Sequence, residues 1–257
     1  MKVATWNVNG IRARSSQVLS WIDREEPDVI CLQEIKAARD KVPEPLVDVA
    51  GYHTFWHGHG GYSGVALLLR TARFPVPPEF FHPRFDHETR IVVAEVDGTV
   101  YGSMYVPNGG KDLEAKMTFL TELERWVGAI VASGKRVVLC GDYNVARAEV
   151  DVHPLLRKPM VGQSPPERAL IDALFSHGLV DVGRYCDPDN DRLFTWWAPW
   201  RNLRERNIGW RLDYIAASAP LVDGTTTCKV YRDVGSSDHG PVVAHLADRI
   251  RGIPAPP

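Results

Sequence analysis

Five apolar runs of this chain end in acidic or amide side chains, which places hard oxygen ligands at the ends of buried strands. The residues that follow the runs ATW, VICLQ, VVLCG, WRL and VGSS are Asn7 and Asn9, Glu34, Asp142 and Asn144, Asp213, and Asp238 with His239. A carboxylate is costly at the end of a buried strand unless a cation or a partner neutralises it. Because nearly all of these side chains offer oxygen, the pattern favours Mg²⁺ or Mn²⁺ over zinc.

The elements that must position these residues are short strands with helices between some of them. Apolar, β-branched runs recur along the chain and predict buried strands. Helices are predicted at 15–26, 112–132 and 167–178. Many strands with few helices predict an α/β fold, a four-layer α/β sandwich in which two packed mixed β-sheets are flanked by helices. We expect one catalytic domain over 1–250 and a disordered tail at 251–257.

The composition is that of a globular protein and excludes a disordered chain. Hydrophobic residues make up 44% and charged residues 24% of 257 residues, and the formal net charge is −2. A nucleic-acid surface would therefore need a local basic face. Four cysteines without a C-x-x-C pair predict reduced, buried thiols. We expect neither a secretory signal nor a membrane span, and a cytoplasmic location.

Six segments resemble the signature blocks of the exonuclease III family of apurinic/apyrimidinic (AP) endonucleases, part of the endonuclease/exonuclease/phosphatase superfamily. In the family's order they are TWNVNGIR (5–12), LQEIK (32–36), YVPNGG (105–110), CGDYNVA (140–146), GWRLDYI (209–215) and SSDHGPV (236–242). YVPNGG and GWRLDYI, with GYSGVALLL (61–69), point to the DNA-repair branch. The resemblance implies a Mg²⁺-dependent phosphodiesterase, also active with Mn²⁺, that cleaves DNA 5′ to abasic sites and has 3′-phosphodiesterase or 3′–5′ exonuclease activity.

The resemblance also implies a role for individual residues. Glu34 would be the principal cation ligand, and Asp142 would orient or deprotonate the attacking water. Asn144 would hydrogen-bond the scissile phosphate, and His239, held by Asp213, would contact a phosphate oxygen. The expected catalytic residues are Tyr105, Asp142, Asn144, Asp213 and His239. The expected cation ligands are Asn7, Glu34, Asp142, Asn144, Asp238 and His239.

The partner implied by the resemblance is double-stranded DNA with abasic sites or 3′ ends, bound by a monomer that would associate with the nucleoid. Trp196 and Trp210 would wall a pocket for a bare deoxyribose, and Trp200 would place an apolar wedge in the minor groove. A basic stripe at 201–211 would contact phosphates. Its arginines are Arg201, Arg204, Arg206 and Arg211. The other expected DNA contacts are Arg12, Tyr62, Arg90, Asn108 and Lys111.

Two other functions fit parts of the pattern. One is a phosphatase or phosphodiesterase of the same superfamily that acts on a non-DNA phosphoester, against which the tryptophans and the basic stripe argue. The other is a non-catalytic nucleic-acid-binding regulator, which would lack a ligand, whereas every expected ligand is present. Taken alone, Asp142 and Asn144 would indicate a turn, and Trp200 a loop residue packed on its neighbours. The histidines of 53–59 predict a surface hairpin more than a metal site.

Overall fold

Residues 1–247 are described by the computed structural model, and they form two six-stranded sheets that pack on each other. The expected tail at 251–257 lies outside the described residues. The first sheet contains β1 (Lys2–Asn7), β2 (Val29–Gln33), β3 (Tyr52–His59), β4 (Tyr62–Arg70), β11 (Thr227–Val230) and β12 (Val242–His245), in the order β11-β12-β1-β2-β4-β3. The second contains β5 (Phe80–Phe81), β6 (Ile91–Val96), β7 (Thr99–Tyr105), β8 (Arg136–Asp142), β9 (Leu179–Asp181) and β10 (Asp213–Ser218), in the order β5-β6-β7-β8-β10-β9.

The helices of residues 1–247 are α1 (Ile11–Glu25), α2 (Glu44–Val47), α3 (Leu113–Ala132), α4 (Pro165–Ser176) and α5 (Val182–Cys186), with short 3₁₀ turns at Arg39–Lys41, Glu149–Asp151, Pro154–Leu156 and Ala219–Leu221. Four of the helices, α1 to α4, cover the outer faces of the sheets, and the short α5 packs against the core between them. The apolar side of α1, including Val18, Trp21 and Ile22, packs on the first sheet. Leu123 of α3 and Leu174 of α4 pack on the second. The predicted α/β sandwich of two mixed sheets flanked by helices is confirmed.

Each sheet contains one parallel strand pair joined by a helix, and this arrangement brings the polar side chains together. β1 and β2 are parallel and are joined by α1, and β7 and β8 are parallel and are joined by α3. The carboxyl ends of parallel strands meet at one sheet edge, so Asn7 lies beside the segment after β2, and Tyr105 lies opposite Asp142. β10 runs antiparallel to β8 and starts at Asp213, which also lies opposite Asp142.

The first helix begins at Ile11, four residues before the predicted start at 15. The main-chain N–H groups of Gly10 and Ile11 donate to the carbonyls of Glu34 and Ile35, at 2.7 and 3.0 Å. These long-range bonds satisfy the first donors of the helix, which a side-chain cap satisfies in many other helices. The predicted start at 15 was therefore wrong, because partners distant in the sequence satisfy the first donors of a helix that begins at Ile11.

The other two long helices lie close to their predicted positions. The Asp112 side chain caps α3 by accepting the Ala115 N–H at 2.9 Å. α4 ends at Ser176, and Gly178 follows with a φ of 84°, a left-handed conformation that favours glycine. The capping and terminating residues therefore acted locally, as the sequence pattern assumes.

All four cysteines are free thiols, as predicted. Cys31 and Cys140 are buried in the core between the sheets, whereas Cys186 and Cys228 are only partly buried. The histidines of 53–59 lie on the β3–β4 hairpin, as expected. In residues 1–247, no helix has both the length and the apolar character needed to cross a membrane.

Candidate active site

One asparagine side chain joins the two sheets at the centre of the polar edge. The Asn7 Nδ2 group donates to Glu34 Oε1 at 3.0 Å and to Asp142 Oδ2 at 2.9 Å. Asn7 ends β1 of the first sheet and Asp142 ends β8 of the second. Two carboxylates from different sheets are thus held side by side, in an arrangement that a bound cation would stabilise.

Glu34 is held in its charged form. It directly follows β2, with a left-handed φ of 50°, and its Oε2 lies 2.7 Å from the Lys36 ammonium nitrogen. Burial raises the pKa of Glu34, but hydrogen bonds from Asn7 and Lys36 and the charges of His239 and Lys36 lower it below its ordinary value of 4.5. Glu34 is therefore an anion at neutral pH.

Asp142 lies in the opposite electrostatic situation. Its side chain is 1% exposed, and Oδ1 accepts the main-chain N–H of Asn144 at 2.8 Å. Burial raises the pKa of Asp142 from 3.8 to about 7, although the charge of His239 opposes that shift. Asn144 has a φ of 50° and donates from Nδ2 to the Val106 carbonyl at 2.8 Å. A carboxyl group that titrates near neutral pH can exchange a proton with a reacting water.

His239 forms a dyad with Asp213. Its Nδ1 lies 2.8 Å from Asp213 Oδ2, and its Nε2 lies 3.8 Å from Asp142 Oδ2. Burial lowers the pKa of His239, but the carboxylates of Asp213 and Asp142 raise it to about 10. Thr195 Oγ1 accepts the main-chain N–H groups of Leu212 and Asp213, at 2.9 and 3.0 Å, and so fixes the start of β10. His239 is thus an imidazolium whose Nε2–H faces the site.

Asp238 lies beside this centre and is held by two donors. Its Oδ1 accepts from Asn9 Nδ2 at 2.9 Å, and its Oδ2 accepts from Trp196 Nε1 at 3.0 Å. Burial raises the pKa of Asp238, but the charge of His239 and these hydrogen bonds lower it below its ordinary value. Asn9 also accepts from Lys36 Nζ at 2.6 Å, which links Asp238 to the Glu34 side of the site.

The donor set fits a hard divalent cation. Ligand atoms of Glu34, Asp142 and His239 lie within 4.8 Å of one another, and this is the one such group of at least three His, Cys, Asp or Glu side chains within 1–247. Carboxylate oxygens are the ligands that Mg²⁺, Mn²⁺ and Ca²⁺ take in proteins. Because a protonated imidazole donates hydrogen bonds and does not ligate, the two carboxylates are the stronger ligands at neutral pH.

Three residues of the expected set form a stack beside the carboxylates. The Arg90 guanidinium carbon lies 5.3 Å from the ring centre of Tyr62 and 5.0 Å from that of Tyr105. Arg90 is buried and donates to the Tyr62 hydroxyl at 2.9 Å, while Tyr62 is 59% exposed. Burial and the charges of Glu34 and Asp142 raise the pKa of Tyr105, which is therefore a neutral phenol. The stack reaches from the carboxylates to the surface.

The tryptophans separate into wall, core and surface residues. Trp196 is half-buried, and its ring centre lies 5.9 Å from that of Trp210 and 6.5 Å from that of His239. Trp197 is buried in the core, and Trp200 is 60% exposed. Trp196 therefore stands next to the dyad with the buried Trp210 packed against it, and Trp200 is available at the surface.

The remaining expected DNA contacts lie on the surface. Asn108 is exposed and donates from Nδ2 to Asn144 Oδ1 at 3.4 Å, which places it beside the candidate site. The other exposed members of the set are Arg12, Lys111 and Arg201.

The predicted basic stripe is wrong for two of its arginines. Arg211 is 3% exposed, and its guanidinium is bound by the carboxylates of Asp151 and Asp181 at 2.7–3.1 Å. Arg204 donates to the main-chain carbonyls of Arg232, Val234 and Ser237. Their acceptors lie far away in the sequence, so a count of local charges could not show that the guanidinium groups of these arginines are already bound by the protein itself.

Sequence reasoning assigned no role to three polar residues that complete the site. Lys36 pairs with Glu34, Asn9 bridges Lys36 and Asp238, and Thr195 fixes Asp213. Lys36 could have been found, because it follows Glu34 by two residues in LQEIK. Asn9 follows the first apolar run and was noted there without a role, whereas nothing in the sequence around Thr195 indicates that it fixes Asp213.

Comparisons with known proteins cover nearly the whole chain. Residues 4–239, which contain all of these site residues, match the Endonuclease/Exonuclease/phosphatase family. The chain is 34% identical over 256 residues to the DNA repair nuclease APEX1 of Danio rerio, a match covering 96% of this chain and 82% of that protein. It is 33% identical over 257 residues to an exodeoxyribonuclease of Bacillus subtilis, covering 94% and 98% respectively. An AP endonuclease structure from Archaeoglobus fulgidus matches with a TM-score of 0.84 and 31% identity, covering 96% of this chain and 99% of that one.

Proposed function

The chain belongs to the exonuclease III family of AP endonucleases, a branch of the Endonuclease/Exonuclease/phosphatase family, and we propose that this DNA-repair nuclease hydrolyses the backbone 5′ to abasic sites with Mg²⁺. We also propose 3′-phosphodiesterase or 3′–5′ exonuclease activity, which the name of the Bacillus subtilis relative supports. The observation that carries the proposal is the pair of carboxylates joined by Asn7, with the His239 imidazolium beside them.

Phosphodiester hydrolysis needs a base for water and donors for the phosphate. Asp142 suits the first task, because burial holds its pKa at about 7, close to the working pH of a general base. His239 suits the second, because its pKa of about 10 keeps Nε2–H protonated while Asp213 accepts from Nδ1. The Asn144 amide, anchored on the Val106 carbonyl, supplies a further donor.

The cation would be held on the Glu34 side of the pair. Glu34 is the carboxylate whose pKa is lowered, and Asp142 is the acid whose ligand atom lies within 4.8 Å of it. Asp238 is bound through Asn9 to the Lys36 side of the site. A divalent cation held there would supply Lewis-acid assistance by neutralising charge on the phosphate. Mn²⁺ takes similar oxygen ligands, so we expect it to replace Mg²⁺.

Selectivity for abasic DNA would depend on the tryptophan wall. A nucleotide without a base costs little to unstack, so a pocket that accepts a bare sugar selects damaged DNA at low energetic cost. Trp196, beside His239, and Trp210, which packs edge to face on Trp196, would supply bulky side chains where a base would have to fit. Trp200 is exposed, as an apolar wedge must be before binding.

The test is cleavage of three DNA duplexes by the purified protein as a monomer, its state checked by sedimentation. One duplex carries a single tetrahydrofuran abasic analogue, one a 3′-recessed end and one a 3′-phosphate, and each is assayed with Mg²⁺, with Mn²⁺ and with EDTA. We expect a single incision 5′ to the analogue with either cation and none in EDTA. Undiminished activity in EDTA, or an abasic duplex that stays intact while another phosphoester is hydrolysed, would contradict the proposal.

A further inference from the structure

Lys116 is a fully buried lysine whose ammonium group lies directly behind the candidate site. It belongs to α3, and its side chain is 0% exposed. Its Nζ donates to the main-chain carbonyl of Asn144 at 2.7 Å and to that of Asn108 at 3.3 Å, and it lies 2.6 Å from Glu167 Oε1. A buried charge of this kind is retained only when every donor has a partner, and here two of the three partners are carbonyls of site residues.

The two carbonyls belong to loops that are distant in sequence. The relative position of these loops decides whether the Asn108 and Asn144 side chains meet. Asn144 has a left-handed φ of 50°, a conformation that asparagine adopts more readily than most residues with a Cβ atom, and its carbonyl accepts from Lys116. Asn108 lies in the YVPNGG loop and donates to Asn144 Oδ1 at 3.4 Å. Lys116 binds both main-chain carbonyls on the side away from the hydrogen bond between the Asn108 and Asn144 side chains. It therefore fixes the distance between these two side chains.

The counter-ion of Lys116 extends this tie to a third loop. Glu167 accepts the main-chain N–H of Gly162, at 2.9 and 2.8 Å to its two oxygens, as well as the Ser164 hydroxyl at 2.6 Å. Gly162 lies against Trp210, since a Cβ atom there would approach the indole to 2.9 Å. The Lys116–Glu167 pair therefore connects the Asn144 loop, the Asn108 loop and the back of the tryptophan wall.

We propose that Lys116 is a positioning residue for phosphodiester hydrolysis, which orients the Asn144 and Asn108 side chains through their main-chain carbonyls. The inference rests on the proposed function, since it concerns the same site. The hydrogen bonds and ion pair that Lys116 makes go to two main-chain carbonyls and to Glu167, so it acts on the candidate ligand side chains through the backbone and through its charge, which interacts with that of Asp142. Its effect should therefore fall on the rate of the bound complex and leave substrate affinity nearly unchanged.

The test uses Lys116→Met, which keeps the length of the side chain and removes its donors. We expect turnover to fall about 10- to 100-fold with little change in KM, the range typical of residues that orient a site from behind. The rate is measured on the abasic duplex or, if that is not cleaved, on whichever 3′ substrate the wild type turns over. Failure of the proposed substrate is thereby separated from failure of the proposed role.

A second variant removes the charge problem that Lys116→Met creates. The double variant Lys116→Met/Glu167→Gln leaves no buried unpaired charge, and its amide oxygen can still accept from Gly162. We expect its melting temperature to recover relative to the single variant, while turnover stays low because both carbonyls still lack their donor. Leu123→Ala is the matched control, since Leu123 is buried on the same helix in the core of the second sheet. It should lose thermal stability and keep near-wild-type turnover below its melting temperature.

A spectroscopic readout needs no substrate at all. In protein labelled with ¹⁵N at asparagine, the side-chain amide signals of Asn144 and Asn108 should shift in Lys116→Met and in the double variant, and stay in place in Leu123→Ala. The proposal is overturned if the double variant turns over substrate at the wild-type rate. Unmoved asparagine amide signals, or a turnover loss in Leu123→Ala equal to that of Lys116→Met, would also overturn it.

Discussion

The two sheets place a carboxylate at the same end of the same strand arrangement, yet the two carboxylates differ in pKa. In each sheet the parallel pair occupies the third and fourth positions of the strand order, β1-β2 in one and β7-β8 in the other. Glu34 follows the first pair and Asp142 ends the second. Lys36 pairs with Glu34 and helps to lower its pKa, whereas burial and the charges of Asp213 and Glu34 raise the pKa of Asp142.

The difference shows how two carboxylates at matching strand ends acquire different pKa values and different roles. A charged carboxylate binds a cation, and a carboxyl group that titrates near neutral pH moves a proton. Asn7, which donates to both, keeps them adjacent without making them equivalent. The division of labour is therefore set by the groups around each strand end, and substitutions at the two ends should have different consequences.

The largest effect is expected from Asp142→Asn. Removing the base should lower turnover by roughly 10²- to 10⁴-fold, the usual contribution of general acid–base catalysis. Binding of the abasic duplex should persist, because the asparagine keeps the shape of the side chain. Single-turnover kinetics and a DNA-binding titration measure the two quantities. A variant with unchanged turnover would remove Asp142 from the base role.

Glu34→Gln should instead act chiefly through the cation. We expect the Mg²⁺ concentration at half-maximal activity to rise by about 10- to 100-fold, a range comparable to that for groups supporting a metal site. High Mg²⁺ should restore part of the turnover, and thermal unfolding should change little. Asp142→Asn is the matched variant, which high Mg²⁺ should not rescue. Wild-type Mg²⁺ dependence in Glu34→Gln would place the cation elsewhere.

The dyad on the Asp142 side should behave as one unit. Because Asp213 acts by holding the His239 imidazolium, the losses in turnover of Asp213→Asn and His239→Asn should not multiply in the double variant. Steady-state turnover of the wild type, the two single variants and the double variant gives the complete double-mutant cycle. Losses that multiply would mean that the two residues act independently.

The two carboxylates should also give the stability of the metal-free protein opposite pH dependences. The folded-state pKa of Asp142, about 7, lies above its ordinary 3.8, so its contribution is present below pH 3.8 and lost as the pH rises through 7. The folded-state pKa of Glu34 lies below 4.5, so its contribution is present above that value and lost as the pH falls through the lowered pKa. The free energy of unfolding is measured by urea denaturation in EDTA over a range of pH for wild type, Asp142→Asn and Glu34→Gln. The difference between wild type and each variant should change with pH in opposite directions for the two variants. Parallel slopes would contradict the comparison.

The smallest effect is expected at the exposed tryptophan, which lies outside both strand ends. Trp200→Ala should weaken binding of the abasic duplex by about tenfold, the loss of one stacking or wedge contact. Because Trp200 is 60% exposed, the melting temperature should hardly change. Trp196→Ala should instead raise activity on ordinary 3′ nucleotides relative to abasic sites. A drop of several degrees for Trp200→Ala, with unchanged affinity, would identify a packing residue.

The sequence was sufficient for features that local patterns control. Apolar runs ending in Glu34 and Asp142 predicted strand ends with chemistry, because strand ends gather at sheet edges whatever the order of the strands. The run WRL before Asp213 is not a strand end, since β10 begins at Asp213. The cap at Asp112 was equally local. The two-sheet fold could be predicted from the number of strands and from the resemblance of the six blocks. The strand order within each sheet could not be predicted from either.

What the sequence could not supply were partners distant along the chain. The start of α1 depends on carbonyls after β2, and the orientation of Arg211 depends on Asp151 and Asp181. Lys116 reads as a polar residue on a helix and is instead buried against Glu167. In each case the hydrogen-bond or ion-pair partner of a charged or polar group lies far away in the sequence, so a local pattern of residues cannot reveal it.

The most direct test of the account is the pKa of each carboxyl group in the metal-free protein. Carbon-detected NMR of protein labelled at the aspartate and glutamate carboxyls, titrated in EDTA from pH 3 to pH 9, resolves both groups, with Asp142→Asn and Glu34→Gln as assignment controls. We expect Asp142 to titrate at about 7 and Glu34 below 4.5. Two carboxyls that titrate together below pH 5, or a Glu34 that holds its proton longer than Asp142, would contradict the division between a cation-binding and a proton-transferring carboxylate.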